Sequence, residues 1–122
     1  MTETSQMKNP QINAASKQEL LRTIQFEQGF HFYAKLGDYS GITATSLDEF
    51  ARKLQVAPAE SVLFHFQRND FQNWIKNVVG DAELAVRLDR LKRRISSKST
   101  NENLRKELLG QVQKRLTELR RS

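Results

Sequence analysis

The sequence predicts a mainly α-helical fold: a small single-domain bundle of five or six helices, with a short hairpin or extended loop near residues 30–45. Three observations lead to this prediction. Apolar residues recur at spacings of three and four along most of the chain, which is the period of an amphipathic helix. The pattern Ser-x-x-Glu occurs three times, as is typical of helix N-termini. Between residues 30 and 45 the apolar period changes to two, and glycine-containing turn pairs appear.

The first element is a helix over about residues 17–27. Residues 1–15 are polar and aperiodic, so they are predicted to form a disordered tail ahead of a single helical domain over residues 16–122. Ser16 begins the first Ser-x-x-Glu pattern, and Gly29 is expected to end the helix. Its apolar face would hold Leu20, Leu21, Ile24 and Phe26.

The hairpin segment follows. Phe30 and Phe32 alternate with polar residues, and β-branched residues come after them, as in a strand. Gly37 and Gly41 stand beside polar residues in turn-forming pairs.

Helical spacing resumes at Ser46, the second capping pattern, with a helix start near residue 47. Pro58 fits the first turn of the next helix, although the apolar stretch at residues 61–66 could also form a strand. The Asn-Asp pair at 69–70 can cap the helix after that, which Gly80 ends.

The last two helices are marked by leucines. Asp81 begins the next helix, and SSKST at residues 96–100 is interpreted as a linker. Ser99 begins the third capping pattern, which predicts a final helix starting near residue 100 with Leu104, Leu108, Val112 and Leu116 on one face.

The net charge of +6 lies in the last third of the chain. Residues 1–79 carry eight basic and eight acidic side chains, whereas residues 80–122 carry twelve basic and six acidic ones. The asymmetry favours a polyanionic partner, RNA or DNA, ribosomal RNA included, although a solvated helix surface would look the same. The side chains expected to bind phosphates are Arg87, Arg90 and Arg94 on the helix that begins at Asp81 and Lys106, Lys114 and Arg121 on the last.

The composition excludes several classes of site. Cysteine is absent, which rules out disulfides, thiolate metal sites and cysteine nucleophiles. No apolar run approaches the roughly 18 residues of a membrane span, and the N-terminal residues lack the apolar core of a secretory signal. We therefore expect a cytoplasmic protein with no membrane partner.

Residues 64–74, FHFQRNDFQNW, concentrate aromatic and charged side chains. Trp74 shares one helix face with other apolar residues, which predicts a place in the core rather than a platform for stacking bases. His65 with Asp70 could form a general base or a metal ligand. However, a metal site needs three or four ligands, and the chain has two histidines. The structural interpretation is that His65 hydrogen-bonds at a buried joint, Arg68 pairs with a carboxylate and Asp70 caps a helix.

Four spaced motifs occur in order along residues 30–120. They are Tyr39-Ser40-Gly41, Ser46-Leu47-Asp48-Glu49-Phe50, the set Ser61, His65, Arg68, Asp70, Phe71 and Trp74, and Gly80-Asp81 followed by Leu84-Ala85. Together they resemble an uncharacterised archaeal and bacterial domain of unknown function, which often has Thr where this chain has Ser40 and Gly where it has Asn69. The resemblance implies one domain and gives weight to Ser61, His65, Arg68 and Asp70, but it implies no activity.

No catalytic or cofactor signature is present, because the glycines fit no phosphate-loop spacing. The main hypothesis is therefore a non-catalytic binding module that engages nucleic acid, with no catalytic residue, metal or cofactor assigned. One alternative is a small-ligand or enzymatic pocket, which requires the hairpin to fold over the His65 helix. The residues of that pocket would be His31, Tyr39, Ser61, His65, Arg68 and Asp70. The other is a protein-interaction or homodimer module that uses the leucine face of the last helix.

Overall fold

The computed structural model describes residues 16–95 and 100–121. Within them it shows six α-helices and one antiparallel hairpin, which confirms the mainly helical prediction. The predicted tail and most of the predicted linker, residues 1–15 and 96–99, lie outside the described residues. The elements are α1 (Lys17–Leu20), a 3₁₀ turn (Phe26–Gln28), β1 (Phe30–Lys35), β2 (Asp38–Ala44), α2 (Leu47–Val56), α3 (Ala59–Gln67), α4 (Asp70–Trp74) with a π-helical turn (Ile75–Val79), α5 (Ala82–Arg94) and α6 (Asn101–Arg120).

The helix starts agree closely with the capping patterns. Ser16 Oγ accepts from the Glu19 N–H at 3.1 Å and Glu19 accepts from the Ser16 N–H, a complete capping box. Ser46 Oγ accepts from the Glu49 N–H at 3.0 Å, but the Glu49 carboxylate binds the backbone N–H and hydroxyl of Thr45 instead. These two hydrogen bonds, the backbone one foremost, lower the pKa of Glu49.

The cap of α6 is Thr100, one residue after the expected Ser99, which lies outside the described residues. Thr100 Oγ1 accepts from the Asn103 N–H at 3.0 Å, so the helix begins at Asn101. The stretch at residues 61–66 is helical as part of α3, which settles the strand alternative.

The first helix is shorter than predicted. It ends at Leu20, and Phe26 is 60% exposed instead of buried. The backbone after Leu20 is bound elsewhere: the Ile24 N–H donates to Thr45 O at 2.7 Å, and the Arg22 guanidinium donates to carbonyls at the end of the π-helical turn. These long-range hydrogen bonds favour an extended segment over a continued helix.

Strand β1 lies between β2 and helix α3. It pairs with β2 from Phe30 opposite Ala44 to Lys35 opposite Asp38, with irregular register around Tyr33. Gly29 precedes β1 at a close approach, since a Cβ built there would lie 2.8 Å from Ala44 O.

Replacing Gly29 with Ala should therefore lower the free energy of unfolding by about 1–3 kcal/mol, because the new methyl group would push the end of β2 away. Chemical denaturation of the variant beside the wild type measures this cost. An unchanged stability would mean that the two strands separate there without strain.

Gly110 offers the matched control. It lies within α6, and a Cβ there would meet nothing within 4 Å. Gly110→Ala should raise the free energy of unfolding by about 0.5–1 kcal/mol through helix propensity alone. The same substitution should thus have opposite signs at the two positions.

One hydrophobic core joins the hairpin to the helices. Phe30 is at the centre of an aromatic cluster, with ring centroids 4.9 Å from Phe32 and Phe71 and 5.7 Å from Trp74. Trp74 is only 8% exposed, so its prediction as a core residue is confirmed. The leucine face of α6 is also buried in this core, which removes the exposed surface that the homodimer hypothesis needed.

Candidate functional site

Helix α3 holds β1 through the backbone of Tyr33. Ser61 Oγ donates to Tyr33 O at 2.7 Å, and the Tyr33 N–H donates to His65 Nε2 at 2.8 Å. Ser61 and His65 are four residues apart, so they lie on one face of α3. The two side chains thus take the place of a neighbouring strand along this part of β1.

The second nitrogen of His65 is also bonded. Because Nε2 accepts a hydrogen bond, the proton of the neutral ring lies on Nδ1, which donates to Asp70 Oδ2 at 2.8 Å. The ring therefore has no free nitrogen for a metal or for proton abstraction, in agreement with a hydrogen-bonded residue at a buried joint. Over residues 16–95 and 100–121 no group of three or more His, Asp or Glu side chains is placed to hold a metal ion.

Asp70 does not cap a helix, so that prediction is wrong. Its Oδ2 accepts from His65 Nδ1 and also from Arg68 Nε at 3.1 Å. The residue at the N-cap of α4 is Asn69, with φ 65°, and its side chain caps no backbone N–H. A carboxylate attracted by two donors on the preceding turn is drawn away from the N-terminus of its own helix.

The His65 bonds predict a pH dependence of stability. Burial lowers the pKa of His65 below its ordinary 6.5, and the hydrogen bond to Asp70 opposes this shift without cancelling it. With the folded pKa below the unfolded one, the contribution of His65 is complete above about pH 6.5 and is lost as the pH falls through the folded pKa.

We expect the free energy of unfolding to fall faster between pH 7 and pH 5 in the wild type than in His65→Gln, by at most about 1.4 kcal/mol per pH unit. Urea titrations across that range measure the difference. Ser61→Ala is the control, since it removes the other hydrogen bond to Tyr33 but no titrating group, and its curve should run parallel to the wild type. Parallel curves for His65→Gln would contradict the prediction.

A cavity of about 610 Å³ lies between the hairpin and the end of α3. Strand β1 contributes Phe30, His31 and Tyr33, and the hairpin turn contributes Leu36 and Gly37. The helical side includes Phe64, His65, Arg68, Asp70 and Trp74. The walls are therefore mainly aromatic, with the Arg68–Asp70 pair as the charged part.

Four of the six side chains expected to form a pocket line this cavity: His31, His65, Arg68 and Asp70. Ser61 is fully buried and bonded to Tyr33, whereas Tyr39 packs beside His31, with 5.9 Å between ring centroids, and is not part of the lining. The expected fold of the hairpin over the His65 helix is observed.

Sequence reasoning missed Phe64 and the hairpin turn. Leu36 is 79% exposed at the tip of the hairpin. An apolar residue in so short a turn is the sequence signal that could have indicated the edge of a ligand cavity. Phe64 lay in the middle of an apolar run, where nothing in the pattern distinguished cavity wall from core.

Comparison with family models shows a match over residues 27–122 to a family of unknown function, DUF5752. The matched region covers the hairpin, the cavity and helices α2–α6. The chain belongs to this family. Comparisons with curated proteins and with solved structures gave no match.

In this member of DUF5752, two of the arginines expected to bind phosphates face acidic residues of α6. Arg87 donates to both oxygens of Glu118, at 2.9 and 3.0 Å, and Arg94 lies 3.9 Å from Glu107. The other four expected residues, Arg90, Lys106, Lys114 and Arg121, are exposed. Part of the positive excess of the DUF5752 domain therefore serves its own fold.

A buried ion pair joins the same two helices of the DUF5752 domain and was not foreseen. Arg115 donates to both oxygens of Asp81, at 2.8 and 3.1 Å, and Asp81 also accepts from the Leu84 N–H at the start of α5. The Asp81 side chain is only 1% exposed. The sequence predicted Asp81 as a helix start but gave no indication of a partner 34 residues away.

Proposed function

We propose that this DUF5752 domain is a non-catalytic binding module and that the cavity between the hairpin and α3 is its ligand site. The observation that carries the proposal is the aromatic-walled space of about 610 Å³ beside an exposed arginine. Cavities of a few hundred cubic ångströms with apolar walls and few polar groups are typical of small-molecule sites.

The hydrogen bonds around the cavity favour binding over catalysis. Ser61 and His65 are the side chains with which a nucleophile and its base would be built, and both are bonded to Tyr33. A general base must be able to reach the proton that it removes. The two residues therefore position β1 as one wall of the site.

A neutral fluorescent probe, N-phenyl-1-naphthylamine, tests the proposal. We expect saturable binding to the wild-type chain with one site per molecule. Leu36→Asp places a charge beside the apolar cavity and should weaken binding several-fold, on the order of 1 kcal/mol or more.

Val56→Asp is the matched control. Val56 is 66% exposed near the end of α2, like Leu36 an apolar residue in solvent, and it does not line the cavity. The control should bind the probe as the wild type does. Equal weakening in both variants, or no saturable binding to the wild type, would contradict the proposal.

A second candidate function is binding of RNA or DNA phosphates, and the exposure of four basic side chains on α5, on α6 and directly after α6 favours it. A salt titration of nucleic-acid binding tests it. Replacing all four with Gln should lessen the dependence of log affinity on log salt by up to about four phosphate contacts. The affected residues are Arg90, Lys106, Lys114 and Arg121.

The control for that titration is Lys35→Gln with Lys76→Gln, two exposed lysines outside the basic third. If the control changes the salt dependence as much as the test variant, general charge and not the α5–α6 surface determines binding. No binding at low salt would contradict this second candidate.

A further inference from the structure

Arg68 uses only part of its guanidinium within the protein. Its Nε donates to Asp70 Oδ2 at 3.1 Å, while its two terminal nitrogens have no acceptor in the described part of the chain. The side chain is 50% exposed beside the cavity. The guanidinium carbon lies 5.1 Å from the centroid of the Phe64 ring, so an aromatic wall of the cavity orients the group.

Arg87, like Arg68, donates from Nε to a carboxylate, and its terminal nitrogens bind a second carboxylate. Its Nε donates to Glu83 at 2.8 Å, and its terminal nitrogens donate to the two oxygens of Glu118. One carboxylate thus binds Nε, and a second binds the terminal pair in the bidentate geometry that suits a guanidinium. Arg68 has the first carboxylate, Asp70, but not the second.

We propose that the second carboxylate at Arg68 is supplied by the ligand, which is a small organic acid with an apolar or aromatic body. The acid group binds the terminal nitrogens of Arg68, and the body lies between the aromatic walls of the cavity. The inference rests on the proposed function of this site and names the substrate class that it takes. Because Asp70 and Phe64 already hold the guanidinium, little side-chain freedom is lost on binding.

The backbone of β1 favours a small acid over an extended peptide. A peptide recognised by strand addition needs free N–H and C=O groups along the strand. At Tyr33 both groups are bonded to Ser61 and His65. The cavity side of β1 therefore offers side-chain walls and not a strand edge.

The experiment compares 4-phenylbutyrate with 4-phenylbutanamide, which share one body and differ in charge. Binding to the ¹⁵N-labelled full chain at pH 7 is followed by NMR, and the indole N–H of Trp74 is an unambiguous reporter, since Trp74 is the single tryptophan and lines the cavity. We expect the acid to bind about tenfold more tightly than the amide, as for a charge-assisted bidentate contact.

Three variants test whether Arg68 produces the preference for the acid over the amide. Arg68→Gln should remove it and leave the affinity for the amide unchanged, whereas Arg68→Lys should retain part of it. Arg90→Gln is the matched control, an exposed arginine that does not line the cavity, and should keep the full preference. Thermal midpoints verify that each variant is folded.

The possible results separate the inference from the proposed function. If the wild type binds the acid and the amide equally and Arg68→Gln binds both with the same affinity as the wild type, the inference is overturned but the cavity remains a ligand site. Loss of the preference in Arg90→Gln places the acid outside the cavity and also overturns it. No shift of the Trp74 signal with either probe contradicts the proposed function and the inference together. If a hexapeptide with a C-terminal Phe binds and phenylbutyrate does not, the ligand is a protein C-terminus and not a small acid.

Discussion

Replacing Asp81 with Ala should lower the free energy of unfolding by about 3–5 kcal/mol, the cost of breaking a buried ion pair by removing one partner. The variant would leave Arg115, whose side chain is 17% exposed, without its closest carboxylate. It would also remove the oxygen that accepts from the Leu84 N–H at the start of α5. Urea denaturation at pH 7 followed by circular dichroism measures the loss.

Arg94→Ala is the control, because Arg94 and Glu107 join the same two helices through an exposed pair at 3.9 Å. That pair should contribute no more than about 1 kcal/mol. The double variant Asp81→Ala with Arg115→Ala should cost less than the sum of the two single changes, since neither charge is then left without its partner. Equal effects for Asp81→Ala and Arg94→Ala would show that the buried pair contributes no more than the exposed one.

Replacing Trp74 with Ala should cost about 3–5 kcal/mol, since it removes a large aromatic group from the cluster around Phe30. Trp74 Nε1 also donates to Gln28 O at 2.8 Å, just before β1. Trp74→Phe keeps an aromatic ring but leaves that carbonyl without its donor, so a smaller cost of about 1–3 kcal/mol is expected.

Circular dichroism measures both tryptophan variants, because neither contains a tryptophan. In the wild type, native emission should be blue-shifted and should move to the red on denaturation. If Trp74→Phe were as costly as Trp74→Ala, the hydrogen bond to Gln28 and not the packing of the ring would dominate. If Trp74→Ala were as stable as the wild type, Trp74 would lie outside the cooperative core.

The helices of this domain were predictable because their apolar residues follow one face and their N-termini carry capping side chains. Ser16 and Ser46 act as expected. The failures occur where a distant part of the chain offers a better hydrogen bond. Helix α1 ends early because the Ile24 N–H donates to the Thr45 carbonyl. The Asp70 carboxylate accepts hydrogen bonds from His65 and Arg68 instead of capping α4.

Four of the six residues predicted for a pocket line the cavity, but the form of the cavity was not predictable. The spaced motif drew attention to His65, Arg68 and Asp70, which do line the cavity. It gave no indication that Ser61 donates to the Tyr33 carbonyl 28 residues earlier or that His65 accepts from the Tyr33 N–H 32 residues earlier. Periodicity indicates which face of a helix is apolar, but it does not indicate which polar groups of two distant segments meet.

The bonds from α3 to Tyr33 also bear on how this domain can fold. An isolated two-stranded hairpin is marginally stable in water, and part of β1 is completed only by side chains that come 28 and 32 residues later in the chain. The hairpin therefore forms stably only after α3 has been synthesised and has docked. Because the two hydrogen bonds to Tyr33 join β1 to α3, strand and helix should open and close as one unit, with the Tyr33 amide protected from solvent exchange for as long as α3 stays in place.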